Sequence, residues 1–311
     1  MTSPAPSGTV RPGASLAEAA RALESLLAEA GVDSPGADAR ALLGEALGMS
    51  PGELALARVR GRELAEPERE QLMRTAARRA AREPLQHILG RAPFRRLELR
   101  VGPGCLVPRP ETELLVDVVA AHLDRRRAEG ERGPFSVLDL GTGSGAIAAA
   151  LASERDDVRV TALDVSPEAL RWARLNLEGL NRDGLGVVLV EADATARRPE
   201  FERAFDVVVS NPPYVPECER PEQPVALADP ERALYGGSPD GLRIPLLMAE
   251  RAAEWCRPGG LVAFEHAETQ GRALRERFDE LGFEGVRTDR DLAGRDRMTS
   301  GVRASSERMD P

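Results

Sequence analysis

Val137-Leu138-Asp139-Leu140-Gly141-Thr142-Gly143-Ser144-Gly145 is an apolar run that gives way to three glycines spaced by single residues, and an alanine-rich stretch over 146–153 follows. The run reads as a buried strand, the glycines as a tight turn and the alanines as a helix. Glycine lacks a Cβ, so its backbone can pass close to a ligand, and a helix N-terminus presents free N–H groups. Gly141, Thr142, Gly143, Ser144 and Gly145 are therefore expected to line a bound cofactor. Dinucleotide binders carry similar glycines; the signal here comes from their place between strand and helix.

Outward from this stretch, short apolar runs at 135–140, 158–163, 187–190, 205–210 and 261–265 alternate with helical stretches. That alternation predicts a doubly wound, mostly parallel α/β sheet covered on both faces. Asp164 ends the second run, nineteen residues after Gly145, where a carboxylate can accept hydrogen bonds from ribose hydroxyls. A helix N-cap is the competing role, but Ser166-Pro167 already supplies that signal. Asp193 follows the third run at the same edge and is expected near an adenine amino group, with a turn aspartate as the alternative.

The fourth run leads into Asn211-Pro212-Pro213-Tyr214. This places the string at the C-terminal edge of the sheet, where ligands of open α/β folds bind. An amide or exocyclic amine nitrogen is a poor nucleophile because its lone pair is delocalised. The Asn211 side-chain carbonyl and the Pro212 backbone carbonyl can accept its two hydrogens, aim the nitrogen and stabilise the charge that develops on it. Proline fixes the turn and removes a competing donor. Tyr214 offers an aromatic face to a planar group. Asn211, Pro212 and Tyr214 are the expected catalytic residues, Pro213 completes the substrate-binding string, and Asn211 also lies near the cofactor.

The net charge is −9 with no lysine in the chain, and residues 1–84 hold 11 Arg against 12 acidic residues. A duplex-binding surface draws its affinity from phosphate neutralisation, so this balance argues against nucleic acid as the direct partner. No apolar run approaches the roughly 20 residues of a membrane helix. The Pro-, Ser- and Gly-rich start lacks the order of a signal peptide. A cytoplasmic location and a monomer are the default expectations. Cys105, Cys218 and Cys256 are far apart and lack metal-ligand spacing, so no metal is expected.

The first third reads as short helices. Ser15 with Glu18 forms a capping box before a helix that stops at Gly31; Ser34-Pro35 and Ser50-Pro51 open two more, and residues 67–82 make a fourth. Leu97, Leu99 and Val101 alternate with charged residues as a half-buried strand does, and Gly102-Pro103-Gly104 suggests a turn returning through Cys105-Leu106-Val107. The expected organisation is a disordered leader over 1–14, a helical domain over 15–83, a β-hairpin linker over 84–110, the α/β domain over 111–303 and a disordered tail over 304–311. Residues 212–241, rich in Pro, Gly and acidic side chains, form a candidate functional loop.

The glycine turn with Asp164 resembles class I S-adenosylmethionine-dependent methyltransferases, and the absence of G-x-G-x-x-G within that resemblance favours this cofactor over nicotinamides. Asn-Pro-Pro-Tyr is shared by enzymes that methylate adenine, ribosomal RNA guanine and glutamine. Further strings narrow the choice: Pro84-Leu85-Gln86-His87-Ile88-Leu89-Gly90, Leu106-Val107-Pro108-Arg109-Pro110-Glu111-Thr112-Glu113, Ala233-Leu234-Tyr235-Gly236-Gly237, Asp240-Gly241-Leu242, and Asp291-Leu292-Ala293-Gly294-Arg295-Asp296-Arg297. These closely resemble the HemK/PrmC family of release-factor glutamine methyltransferases, over residues 15–303. The resemblance implies a helical domain that engages the release factor, cofactor contacts at residues 141–145 and Asp164, and N5-methylation of the glutamine in a Gly-Gly-Gln loop. A DNA adenine or RNA guanine N-methyltransferase is the alternative. The sequence departs from the family pattern at Ala194, where an aromatic residue is common, and at Ala267 after Glu265-His266.

Overall fold

Ser15 opens the first helix by the expected capping box: its hydroxyl accepts from the Glu18 N–H at 3.3 Å, and the Glu18 carboxylate accepts from the Ser15 N–H at 2.9 Å. Helix α1 (Leu16–Glu29) is followed by α2 (Pro35–Leu47), which ends at the left-handed Gly48, and by α3 (Pro51–Val59), capped by Ser50 and Glu53 in the same way. Helices α4 (Glu66–Ala80) and α5 (Leu85–Leu89) complete the unit. Leu16, Leu23, Leu27, Leu42, Leu43 and Leu72 are fully buried together. Val10 and Ala14, placed in a disordered leader by the sequence reading, are buried in the same cluster.

The protein is described here from a computed structural model, which covers residues 10–180, 186–219 and 229–304. The described residues divide into two compact units at Gly90 and Arg91. The expected tail lies outside the described residues apart from Ala304, and part of the expected loop over 212–241 is likewise outside them.

The second unit opens with a hairpin that differs from the expected one. Strand β1 (Arg91–Phe94) pairs antiparallel with β2 (Leu97–Arg100), and the turn is Arg95-Arg96, with Arg95 left-handed at φ 52°. Pro93 disguises the first strand, but each strand of a two-stranded sheet has a free edge where a missing N–H costs little. Cys105-Leu106-Val107 does not form a strand. The Cys105 N–H bonds back to the Gly102 carbonyl at 3.3 Å, which closes the turn on itself, and Cys105 and Val107 pack instead against Ala92, Val101 and Trp172.

A 3-10 turn at Pro110–Thr112 then leads into α6 (Glu113–Ala128). Five strands follow: β3 (Phe135–Leu140), β4 (Val158–Asp164), β5 (Val187–Glu191), β6 (Phe205–Ser210) and β7 (Cys256–Glu265). Between them lie α7 (Ala146–Glu154), α8 (Pro167–Leu177), α9 (Glu231–Leu234) and α10 (Arg243–Trp255). Pro245 falls in the first turn of α10, where N–H groups have no helical partner. Helix α11 (Gly271–Glu280) precedes a terminal antiparallel pair, β8 (Phe283–Arg290) and β9 (Asp296–Arg303).

The sheet order is β5-β4-β3-β6-β7-β9-β8, parallel from β5 through β7, with β9 antiparallel to β7. This is the doubly wound, mostly parallel sheet that the alternation of apolar runs and helices predicts. Successive side chains face opposite ways along a strand. Val137, Val160, Val207 and Val209 accordingly pack under α6 and α7, while Leu138, Leu140, Leu163, Val208 and Phe264 pack with Met248 and Ala252 of α10 and Phe278 of α11. The chain runs outward from β3 to β5 and returns to β6 on the other side of β3. The loops after β3 and β6 therefore diverge and leave a crevice at the C-terminal edge.

Candidate active site

The Asp139 side chain sits at the end of β3, 0% exposed, and accepts the Thr142 hydroxyl at 2.6 Å. Burial pushes its carboxyl pKa up to about 7. The Thr142 N–H bonds to the Leu163 carbonyl at 2.9 Å and its carbonyl accepts from Gly145 at 2.8 Å, which folds the glycine turn over the ends of β3 and β4. Gly141 and Gly143 have φ of 67° and 58°; a Cβ would stand in open space on Gly141 and 4.0 Å from the Gly141 carbonyl on Gly143. Gly145 is needed for another reason: a Cβ there would lie 3.2 Å from Ala173 in α8. Asn176 of α8 holds the turn from behind, donating to the carbonyls of Ser144 and Arg100, each at 2.9 Å. Thr142 and Ser144 are buried.

Asp164 is half-buried, and burial raises its pKa above the ordinary carboxylate value. One oxygen accepts from the Gly143 N–H and the other from the Ser166 N–H, both at 2.8 Å. An ionised carboxylate offers about four acceptor positions, so two remain for a diol. Open glycines beside that carboxylate suit a nucleoside. Asp193 is placed differently: it is exposed, and its Oδ1 accepts from both the N–H and the hydroxyl of Thr195, at 2.8 and 2.7 Å. These two bonds, both to Oδ1, close a turn of the kind aspartate favours.

Ser210, the last residue of β6, donates its hydroxyl to the Leu140 carbonyl at 2.8 Å, and the two residues are in register. The Asn-Pro-Pro-Tyr string is thereby placed beside the glycine turn. Pro212 is buried, while Asn211, Pro213 and Tyr214 are half-buried. Asn211 donates its side-chain NH2 to the Thr112 hydroxyl oxygen at 3.0 Å. Thr112 in turn donates to Glu265 Oε2 at 2.7 Å, and the Tyr214 hydroxyl donates to Glu265 Oε1 at 3.0 Å. Burial and the neighbouring Glu265 carboxylate push the Tyr214 phenol above its ordinary value.

The segment behind the string is clamped. Gln270, 3% exposed, donates to the carbonyls of Tyr214 and Asp240, both at 2.8 Å, and accepts from the Ala267 N–H at 3.0 Å. Val215 bonds to Leu234 and Gly236 through its backbone, and a Cβ on Gly241 would lie 2.2 Å from the Tyr214 carbonyl. The Ala233–Gly237 and Asp240–Leu242 strings thus brace the Asn-Pro-Pro-Tyr turn. Arg109 pairs with Asp229 at 2.8 Å, and Asp229 also accepts from the Val107 N–H at 3.2 Å. His266 is fully buried: its Nδ1 donates to the Ala267 carbonyl at 2.8 Å and its Nε2 lies 3.0 Å from the Thr299 hydroxyl. With both ring nitrogens engaged and burial lowering its pKa, it is a structural imidazole.

The sequence reading missed Asp139, Thr112, Glu265, Gln270 and Asn176 as parts of the site. Asp139, Thr112 and Glu265 lie inside strings that carry the family resemblance, whereas Gln270 and Asn176 carry no local pattern.

A family model described as the PrmC N-terminal domain matches residues 18–90, and one described as a methyltransferase small domain matches residues 112–224. A release factor glutamine methyltransferase of Bifidobacterium longum (strain NCC 2705) is 43% identical over 286 residues, covering 89% of this chain and 96% of the relative. Those of Streptomyces coelicolor (strain ATCC BAA-471 / A3(2) / M145) and Mycolicibacterium smegmatis (strain ATCC 700084 / mc(2)155) are 42% and 40% identical over 295 residues, each covering 93% of this chain and 98% of the relative. Identity of this order along nearly the whole of both chains places the protein in one family: it belongs to the release factor glutamine methyltransferases.

Proposed function

We propose that the protein transfers the methyl group of S-adenosyl-L-methionine to the side-chain amide nitrogen of the glutamine in the Gly-Gly-Gln loop of peptide-chain release factors. The observation that carries this reading is the Ser210–Leu140 bond, which seats the Asn-Pro-Pro-Tyr string beside the glycine turn at the switch point of the sheet. The relatives that match along nearly the full length are named for this activity.

When bound, S-adenosylmethionine supplies a methyl carbon on a positively charged sulfur, which leaves with the C–S electron pair as the amide nitrogen bonds to carbon. Gly141 and Gly143 provide the floor of its site, open at Gly141, and Asp164 keeps acceptor positions for the ribose. On the substrate side, the Asn211 and Pro212 carbonyls accept the two amide hydrogens. That grip aims the nitrogen at the methyl carbon and stabilises the charge that builds on nitrogen. Tyr214 packs against the amide plane. The surplus N–H proton passes to solvent after transfer, so no general base is required.

Tritiated methyl transfer to purified release factor, to duplex DNA and to ribosomal RNA tests the assignment, with mass spectrometry locating the modified residue. Label on the release-factor glutamine is expected. Label on DNA or RNA alone would select the amino-methyltransferase alternative. Asn211→Ala is expected to abolish transfer while cofactor binding, measured by calorimetry, survives; turnover near the wild-type value would refute the assigned role.

A further inference from the structure

A side-chain carboxamide can turn over, exchanging its oxygen and its NH2 with little change of shape. A grip on a substrate NH2 requires the oxygen of Asn211 to face the substrate. Offering NH2 instead would set two donors against each other. Something must therefore choose between two nearly isosteric orientations.

The choice is made by a chain of hydrogen bonds that starts outside the Asn-Pro-Pro-Tyr string. Glu265 ends β7 and is 1% exposed. As an ionised carboxylate it can only accept. Thr112 lies 2.7 Å from Glu265 Oε2, so its one hydroxyl hydrogen is committed there. Only lone pairs remain on that hydroxyl oxygen, and the group of Asn211 that meets it at 3.0 Å has to be the NH2. The Asn211 carbonyl oxygen is thereby turned to the other side. The second Glu265 oxygen takes the Tyr214 hydroxyl at 3.0 Å, so one carboxylate orients two members of the string.

We propose that Glu265 and Thr112 are positioning residues that set the polarity of the Asn211 carboxamide, so that its oxygen and not its nitrogen faces the amide to be methylated. This rests on the glutamine-amide reading above. The chain of donors runs one way, from Asn211 to Thr112 to Glu265, and it is free to reverse once Glu265 takes up a proton on Oε2 and becomes a donor to Thr112. Burial raises the Glu265 pKa, and the nearby Glu111 acts in the same direction. Thr112, Tyr214 and the Arg297 guanidinium oppose them. Arg297 is itself held by Asp291 and by the His266 carbonyl, and the charges of Arg297 and Arg109 both act on the Tyr214 phenol. The Glu265 carboxylate is required in its charged form, so turnover falls as pH drops through its ionisation.

The test is saturation kinetics of methyl transfer to purified release factor across a pH series, together with calorimetric binding of S-adenosylhomocysteine. Thr112→Val keeps the shape and deletes the hydroxyl; kcat is expected to fall about 30-fold, with KM for release factor and the binding of S-adenosylhomocysteine each within about twofold of wild type. Thr112→Ser restores the hydroxyl and is expected to recover turnover to within about threefold. Glu265→Gln is expected to lower kcat at least about tenfold and to remove the acid limb of its pH profile. A Thr112→Val enzyme within about threefold of wild type, a loss confined to KM or to cofactor binding, or failure of Thr112→Ser to rescue overturns the proposal. Should Thr112→Val not fold, the Glu265→Gln pH profile decides alone, and retention of the acid limb overturns it. Wild-type protein that labels no release factor overturns the proposed function itself; wild type that labels it normally beside an equally active Thr112→Val overturns only the positioning role.

Discussion

Replacing Gln270 by leucine keeps the volume of the side chain while deleting three hydrogen bonds at once. Its amide NH2 serves the carbonyls of Tyr214 and Asp240, and its oxygen serves the Ala267 N–H, at a position 3% exposed. Each backbone group left unsatisfied in a buried place costs about 1–3 kcal/mol. Relaxation of the half-buried Tyr214 segment offsets part of this, so about 3 kcal/mol is the expected loss for the three together. In a unit of this size each kcal/mol moves the midpoint by about 2–4 °C, which places the fall in Tm at about 6–12 °C. The kinetic effect follows from position: Gln270 holds the carbonyl of Tyr214 itself, and a shift of about 1 Å at a reacting group can cost about a hundredfold in rate. Gln270→Leu is therefore expected to lose between about ten- and a hundredfold in kcat. Cofactor binding should be spared, because the Asp164 carboxylate is held by the Gly143 and Ser166 N–H groups and Gln270 by Tyr214, Asp240 and Ala267. Thermal denaturation followed by circular dichroism, with saturation kinetics at one pH, gives both numbers. A midpoint lowered by less than about 2 °C together with kcat within twofold of wild type would show that the clamp carries neither load.

Two further outcomes follow from the carboxylates of Asp164 and Asp139. Asp164→Asn leaves one oxygen for two backbone donors and removes the charge that a ribose diol would meet. S-adenosylmethionine is expected to bind about 10–100-fold more weakly by calorimetry, and a Kd within twofold of wild type would exclude the ribose role. Asp139 has a folded-state pKa raised to about 7, above its unfolded value. Its protonated form is the one the fold prefers, so its contribution is fully present below the unfolded value and is lost as pH rises through about 7. Asp139→Asn should then gain stability relative to wild type between pH 5 and pH 8, by at most about 3 kcal/mol. Melting midpoints of the two proteins that stay parallel over that range would sink the assignment.

The parts of this protein that the sequence determined unaided are those whose cause is local. Capping boxes at Ser15 and Ser50, apolar runs that become β3, β4 and β6, and the glycine turn each depend on residues a few positions apart. The same holds for the chemistry of Asn-Pro-Pro-Tyr, whose members are adjacent. Where neighbours competed, the local reading strayed: Pro93 hid β1, and Gly102-Pro103-Gly104 suggested a hairpin turn that forms instead at Arg95-Arg96. Strands β8 and β9 were invisible because the first is mostly exposed and the second buries Thr299 and Ser300, which read as loop residues until β7 and α11 cover them.

Tertiary structure alone decided the strand order, and with it which loops meet at the switch point. It alone brought Thr112 to Asn211 across 99 residues, Glu265 to Thr112 across 153 and Gln270 to Tyr214 across 56. A hydrogen bond between groups so far apart along the chain has no signature in either sequence window. It exists only because packing the two faces of the sheet fixes where each strand ends, and the polarity of the Asn211 carboxamide is a consequence of that packing.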